Sequence, residues 1–340
     1  MISTQHDLFA YLASHLSVRY VVLDPHTPTS AFVAIGDELL AIDTPIDVHA
    51  TVAHAVSLLN EAAQRELAGR GSYTERLASP NLGIVRLIFG TTDTMTSLVV
   101  RLLPPNPDDH AEHPLPPDLL GELALPHGLT IIAGPSSGGA TSYGARAMNA
   151  ALAQRKGGLA LTIGSSITYL PESGRCKSLL CSVGPRRDMP TIADALAYAS
   201  AIDASVAHIV YPDLLATTMT GIANLLTAGT LVILNLRATS IVSLLARLKT
   251  LCDANPYAWS TIAYDLTSVS LIDSVASKYV GERHQVQERL RCSAGLRTAL
   301  VSGTWDRIDE HIAGGKEGSQ SRAMALATLR AADLIEPDTR

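Results

Sequence analysis

The stretch from Gly128 to Ser142, Gly-Leu-Thr-Ile-Ile-Ala-Gly-Pro-Ser-Ser-Gly-Gly-Ala-Thr-Ser, has the residue types of a turn that wraps a phosphate. Such a loop reads G-x-x-x-x-G-K-[ST]. Its backbone N–H groups cradle the anion, its lysine reaches the β- and γ-phosphates, and its hydroxyl faces magnesium. Gly134 and Gly139 hold the two glycine positions, with Ser136, Ser137 and Gly138 in the flexible middle. Thr141 stands at the hydroxyl position, and Ser142 follows it into a helical pattern. Ala140 stands where the lysine belongs, so the spacing predicts a turn that could hold an anion but lacks its cation. Thr141 serves equally well as a helix cap.

Other chemistry-bearing residues form no comparable pattern. Cys176, Cys181, Cys252 and Cys292 fit neither a zinc ribbon nor a C-x-x-C pair, and they read as buried or neutral thiols. His110 and His113 lie among Asp108, Asp109 and Glu112, but a proline-rich stretch is a poor frame for tetrahedral ligation. A net charge of -6 gives no electrostatic footprint for nucleic acid. With aromatics at only 4%, base-stacking platforms are also disfavoured. No apolar run approaches the ~18 residues of a membrane span. The first residues lack the basic and apolar segments of a secretion signal, so a cytoplasmic protein is expected.

The elements that must position the loop fall into two blocks. Leu103 to Pro117, rich in proline and acidic residues, reads as a linker between an N-terminal domain (1–103) and a C-terminal domain (118–340), with 104–117 connecting them. In the first block a short amphipathic helix is expected at Asp7–Leu16, and strands at Tyr20–Leu23 and Ala31–Ile35. A Gly36-Asp37 turn leads into Leu39–Ile42. A long amphipathic helix is expected at His49–Leu67, then a hairpin of Gly83–Phe89 with Ser97–Leu103. The second block has short, continuous apolar runs at Leu129–Ala133, Leu159–Ile163, Val206–Val210 and Leu231–Leu236. These imply a parallel sheet buried on both faces. From Ser260 onward the pattern reads as helical: Leu266–Tyr279, Gln285–Arg291, Ala294–Ser302, Trp305–Ala313 and Arg322–Ala332.

Taken along the whole chain, these motifs resemble the hexameric pilus and secretion ATPases, most closely the type IV pilus retraction (PilT-like) branch. Val33-Ala34-Ile35-Gly36-Asp37 is similar to that family's R-V-x-G-[DE] hairpin, with Val33 in place of arginine. Phe89 matches the end of "RFRVNAF", and Val99, Arg101 and Pro104 match "AVFRxIP". Leu161-Thr162-Ile163 resembles the strand entering the acidic box, Arg187-Asp188 with Ala195-Leu196 fits "RD…AL", and Ala228 to Val232 fits "TGHLV". Thr239-Ser240 and Arg247 fit the stretch after the histidine box. The loop alone would also suit an unrelated α/β protein; agreement across both blocks favours the family. The resemblance implies an α/β fold: a PAS-like α+β domain, then a RecA-like phosphate-loop domain with a parallel sheet and a helical C-terminal part.

Carried over position by position, the family's chemistry is missing. Its lysine falls on Ala140 and its acidic Glu-Asp pair on Gly164-Ser165. The second catalytic glutamate falls at Tyr211 or Pro212, with Asp213 nearby as a displaced substitute or, more commonly, a loop or capping residue. Two helix arginines fall on Ala197 and Ala201, and the histidine-box histidine falls on Arg237, suited to a phosphate or an intersubunit ion pair. Phosphoryl transfer depends on positioning and electrostatic stabilisation, and losing one such group costs about 10²–10³ in rate. The resemblance with these losses implies a non-catalytic pseudo-ATPase without a cofactor, in a homo- or hetero-oligomer that is ring-like if the family pattern holds. Its implied partners are an active motor ATPase and an inner-membrane platform protein, at which it would sit peripherally. The alternatives are a weak ATPase or nucleotide sensor binding ATP or ADP with magnesium, or a structural adaptor. Tyr143 or Arg237 could fill the pocket.

Overall fold

The computed structural model describes residues 18–27, 31–35, 38–41, 47–79, 83–92, 95–103, 107, 114–136, 138–165, 167–169, 171, 175–184, 187–210, 214–279 and 283–339. It divides into two compact units, Met1–His110 with Ala276–Arg283, and Ala111–Val275 with His284–Arg340. The expected helix at Asp7–Leu16, the Gly36-Asp37 turn and Ile42 lie outside the described residues.

The first unit contains β1 (Val18–Leu23), β2 (Ala31–Ile35), β3 (Glu38–Ala41), α1 (Val48–Ser57), α2 (Glu61–Arg70), β4 (Ser72–Ser79), β5 (Gly83–Thr92) and β6 (Met95–Leu103). Its antiparallel sheet runs β3-β2-β1-β6-β5-β4. Val85, Leu87 and Phe89 alternate with Arg86 and Ile88, which sends one set under α1 and α2 and the other outward. The single helix expected at His49–Leu67 is two helices. Asn60 breaks it by accepting the Ala63 N–H (2.9 Å), and Gly71, at φ 70°, ends α2 in the left-handed conformation. Strand β4 was not foreseen.

The second unit contains α3 (Pro117–Leu123), β7 (Gly128–Gly134), α4 (Ala140–Ala153), β8 (Leu159–Gly164), β9 (Lys177–Ser182), α5 (Ile192–Ala201), β10 (Val206–Val210), α6 (Ala216–Thr227) and β11 (Leu231–Arg237). Then follow α7 (Ile241–Leu251), α8 (Pro256–Asp265), β12 (Leu266–Ala276), β13 (Arg283–Arg291), α9 (Ala294–Ser302), α10 (Trp305–Ala313) and α11 (Arg322–Ala331). The sheet order is β13-β12-β7-β11-β10-β8-β9, and the pairs from β12 to β9 are parallel. The four apolar runs expected as buried parallel strands are β7, β8, β10 and β11. One face carries a core built with α5 to α10, and the other packs against α3 and α4.

Two segments expected as helices are strands. Leu266–Ala276 is rich in β-branched residues and Ser, and it lies beside β7 with both faces covered, so the period of two that marks a half-exposed strand is erased. In β13, Val286 and Leu290 lie four apart and mimic one helix face, while Arg289 on the opposite strand face is only 3% exposed.

Candidate functional site

The loop sits where β7 ends and α4 begins, at the carboxyl edge of a parallel sheet, where such folds bind ligands. Its glycines are required by a neighbour. A Cβ on Gly134 would lie 2.1 Å from the Ile272 carbonyl oxygen of β12, and one on Gly138 would lie 2.8 Å from it. The Gly138 N–H donates to the Pro135 carbonyl (3.1 Å), closing a tight turn. Gly139, at φ 95°, caps α4 without a side-chain acceptor. Gly139 therefore offers no side chain to the first N–H groups of α4, which form the positive end of the helix dipole.

Ala140 is buried in the core formed with Ile132, Tyr143 and Ile272, and its methyl cannot span to a phosphate. Thr141, Ser136 and Gly139 are exposed, and Gly138 is buried. Ser142 is half-buried, with its Oγ 3.0 Å from the Tyr169 hydroxyl. Arg237 is exposed at the end of β11 in register with Gly134, and the Ala238 N–H donates to the Gly134 carbonyl (3.2 Å). The structure thus brings Gly134, Ser136, Gly138 to Ser142 and Arg237 to one sheet edge. Ser137, Asp213, Tyr211 and Pro212 lie outside the described residues. So do His110 and His113. Among the described residues no group of three or more metal-binding side chains occurs, and the four cysteines are free.

Tyr143 points into the core, 4% exposed, where its hydroxyl accepts from Gln287 Nε2 (3.2 Å); burial pushes its pKa up to about 12. It therefore supports α4 from below. On β8, a Cβ at Gly164 would lie 2.7 Å from the Val210 carbonyl oxygen, so the strand spacing itself leaves no room for a carboxylate side chain there. Ser165, the next residue, is exposed. Gly164, Ser165 and Ala140 themselves carry no carboxylate and no cation, while Arg237 stands at the same sheet edge in register with Gly134.

A buried polar chain beneath α4 escaped sequence reasoning. Asn235 of β11 donates from Nδ2 to the Ala140 carbonyl (2.7 Å), and its Oδ1 lies 2.7 Å from His208 Nε2. An oxygen in that position only accepts, so His208 carries its proton on Nε2. Burial drives the His208 pKa down to about 4, although the bond to Asn235 opposes that. Gly144 makes room for the amide: a Cβ there would lie 2.0 Å from Asn235 Oδ1. A lone Asn inside the apolar run Leu231–Leu236 was the one visible signal, because a buried amide must find partners.

A second buried network joins α3 to the sheet edge. Arg289 of β13 pairs with Asp118 (2.6 Å) and Glu122 (2.9 Å), and Ser268 donates to the other oxygen of Glu122. Desolvation raises the Glu122 pKa despite these partners. At the less buried Asp118, desolvation also pushes upward, but the Arg289 hydrogen bond and charge prevail and hold it below its ordinary value.

No known family model matches the chain, and no curated protein sequence does. Solved structures do. The pilus retraction motor PilT with bound ADP superposes with a TM-score of 0.78 at 18% identity, covering 97% of this chain and 94% of that one. The ATPase DotB of Legionella pneumophila gives 0.76 at 15% identity, over 98% and 93%. DotB of Yersinia pseudotuberculosis gives 0.74 at 13% identity, over 98% and 90%. The chain therefore shares the mixed α/β fold of these ATPases over nearly its full length. Among the described residues no helix is long and apolar enough to cross a membrane.

Proposed function

We propose that this chain is a non-catalytic member of the pilus and secretion ATPase group. In this reading it acts as a scaffold or regulator that assembles with an active motor ATPase or docks on an inner-membrane platform protein. The observation that carries the reading is the pairing of a retained loop with unusable chemistry. Gly134 and Gly138 still pack against β12, whereas Ala140 is buried in the core and Gly164 has no space for an acid. The six-stranded antiparallel sheet with two helices supports a PAS-like reading of the first unit, and the parallel sheet supports a RecA-like reading of the second.

The scaffold reading is tested by light scattering of the purified protein, alone and mixed with the motor ATPase and platform protein of the same cell. Assembly with either is expected; a monomer that binds neither sinks it. The left-handed Gly139 and exposed Thr141 favour a second reading, a nucleotide sensor that holds a phosphate on α4 without cleaving it. Calorimetric titration with ADP and magnesium separates the two.

A further inference from the structure

Helices α5, α6 and α8 lie side by side on one face of the parallel sheet, with α6 packed against both neighbours. Their inner faces enter the core through Leu196, Ile222 and Trp259. Close approach of α5 and α6 needs Gly221, whose Cβ would lie 2.7 Å from Leu196 Cδ1. Asn255 Nδ2 donates to Thr220 Oγ1 (3.2 Å), tying α8 to α6. The three helices thus form one continuous face.

Its outward side is unusual in composition. The run from Asp188 to Leu236 contains no Lys, Arg or Glu and four Asp, in a chain with 26 Lys and Arg in 340 residues. Thr250 to Asp265, which includes α8, also has no Lys or Arg. Solvated helix faces normally interleave charges of both signs. Here the outer positions are Ala, Ser and Thr with large apolar groups among them: Tyr198 (38% exposed), Leu215 (59%), Tyr257 (61%) and Tyr264 (58%). The charges that remain are acidic, and Asp194 and Asp203 are both exposed.

We infer that the outer face of α5, α6 and α8 is a docking surface for a lysine- and arginine-rich segment of a partner protein, with apolar side chains between its charges. Exposed tyrosines supply apolar area and stack on guanidinium groups, and the exposed Asp194 and Asp203 attract the basic positions. Cytoplasmic loops of integral membrane proteins carry an excess of Lys and Arg. A two-fold contact between copies of this chain is disfavoured here, because it would set Asp194 and Asp203 near their own copies. The inference deepens the scaffold reading and rests on it, but not on the state of the phosphate loop.

The test uses full-length protein and fluorescence anisotropy with a labelled helical peptide of leucine and lysine, and a counterpart with glutamate for lysine. Two surface variants serve as controls, Tyr198→Ala with Tyr257→Ala, and Ala197→Lys with Asn224→Lys. All four positions are exposed, and tryptophan fluorescence checks that the fold survives. The lysine peptide is expected to bind the unmodified protein and to bind either variant at least about tenfold more weakly, with no binding of the glutamate peptide. Equal binding across the variants, or equal binding of both peptides, overturns the inference. So does self-association that the tyrosine variant abolishes, which would assign the face to a second copy. Nucleotide turnover by the same protein would sink the scaffold reading and leave the peptide result standing.

Discussion

Replacing His208 tests the polar chain under the phosphate loop most sharply, because its consequence has a sign and a size. The imidazole is fully buried between strands, and its pKa falls from 6.5 to about 4 on folding. A histidine with a depressed folded pKa binds protons more readily in the unfolded chain. Its contribution to stability is therefore complete above 6.5 and is lost as the pH falls toward 4. The full span is worth about 3 kcal/mol, and about 2 kcal/mol of it is lost between pH 7.5 and pH 5.0. His208→Gln is the control: its amide can donate to Asn235 Oδ1 and does not titrate. Glu122, Asp265 and Glu288 have raised pKa values and push in the opposite direction, but equally in both proteins. Trp259 and Trp305, the chain's two tryptophans, both lie in the unit that contains His208, so their fluorescence in urea reports that unit. The protein is expected to lose about 2 kcal/mol more than His208→Gln on acidification. A difference that changes by less than about 0.5 kcal/mol would refute a buried, neutral His208.

Two further substitutions probe the elements that hold the loop. Gly144→Ala forces a methyl onto Asn235 Oδ1 and should cost about 1–3 kcal/mol in urea denaturation, whereas Gly69→Ala, in open space on α2, should be neutral or slightly stabilising. Arg289→Met breaks the buried pair with Glu122, leaving it Ser268 and the half-exposed Arg291 (3.5 Å), and should cost about 3–5 kcal/mol at pH 7. Adding Glu122→Gln should recover part of that loss, as read from thermal midpoints, because the underpaired buried charge is then gone.

The loop and the strands around it were legible because each rests on a local rule. Gly134 and Gly139 stand at fixed spacing, and Leu129–Ala133 and Leu231–Leu236 are uninterrupted apolar runs with turns beside them. The break between α1 and α2 was also written locally, in Asn60, but amphipathic periodicity runs straight across it. Strands β12 and β13 were misread because their partners are distant in sequence: β12 owes its state to β7, more than 130 residues earlier. Separation in sequence also hid Asn235, His208 and Gly144, which make sense only once β10, β11 and α4 lie against one another. Arg289 reads as a solvated strand residue until Asp118 and Glu122 are seen to meet it. The space taken from Gly164 by the Val210 carbonyl has no sequence signature at all.

The proposal that the protein does not hydrolyse ATP is the centre of the account, and it is tested most directly by phosphate release from magnesium-ATP, measured on the purified protein and on Ala140→Lys. No release above buffer by either protein is the predicted result, because Ala140→Lys adds a cation only, and Gly164 and Ser165 supply no carboxylate. Magnesium-dependent release by the unaltered protein would contradict it.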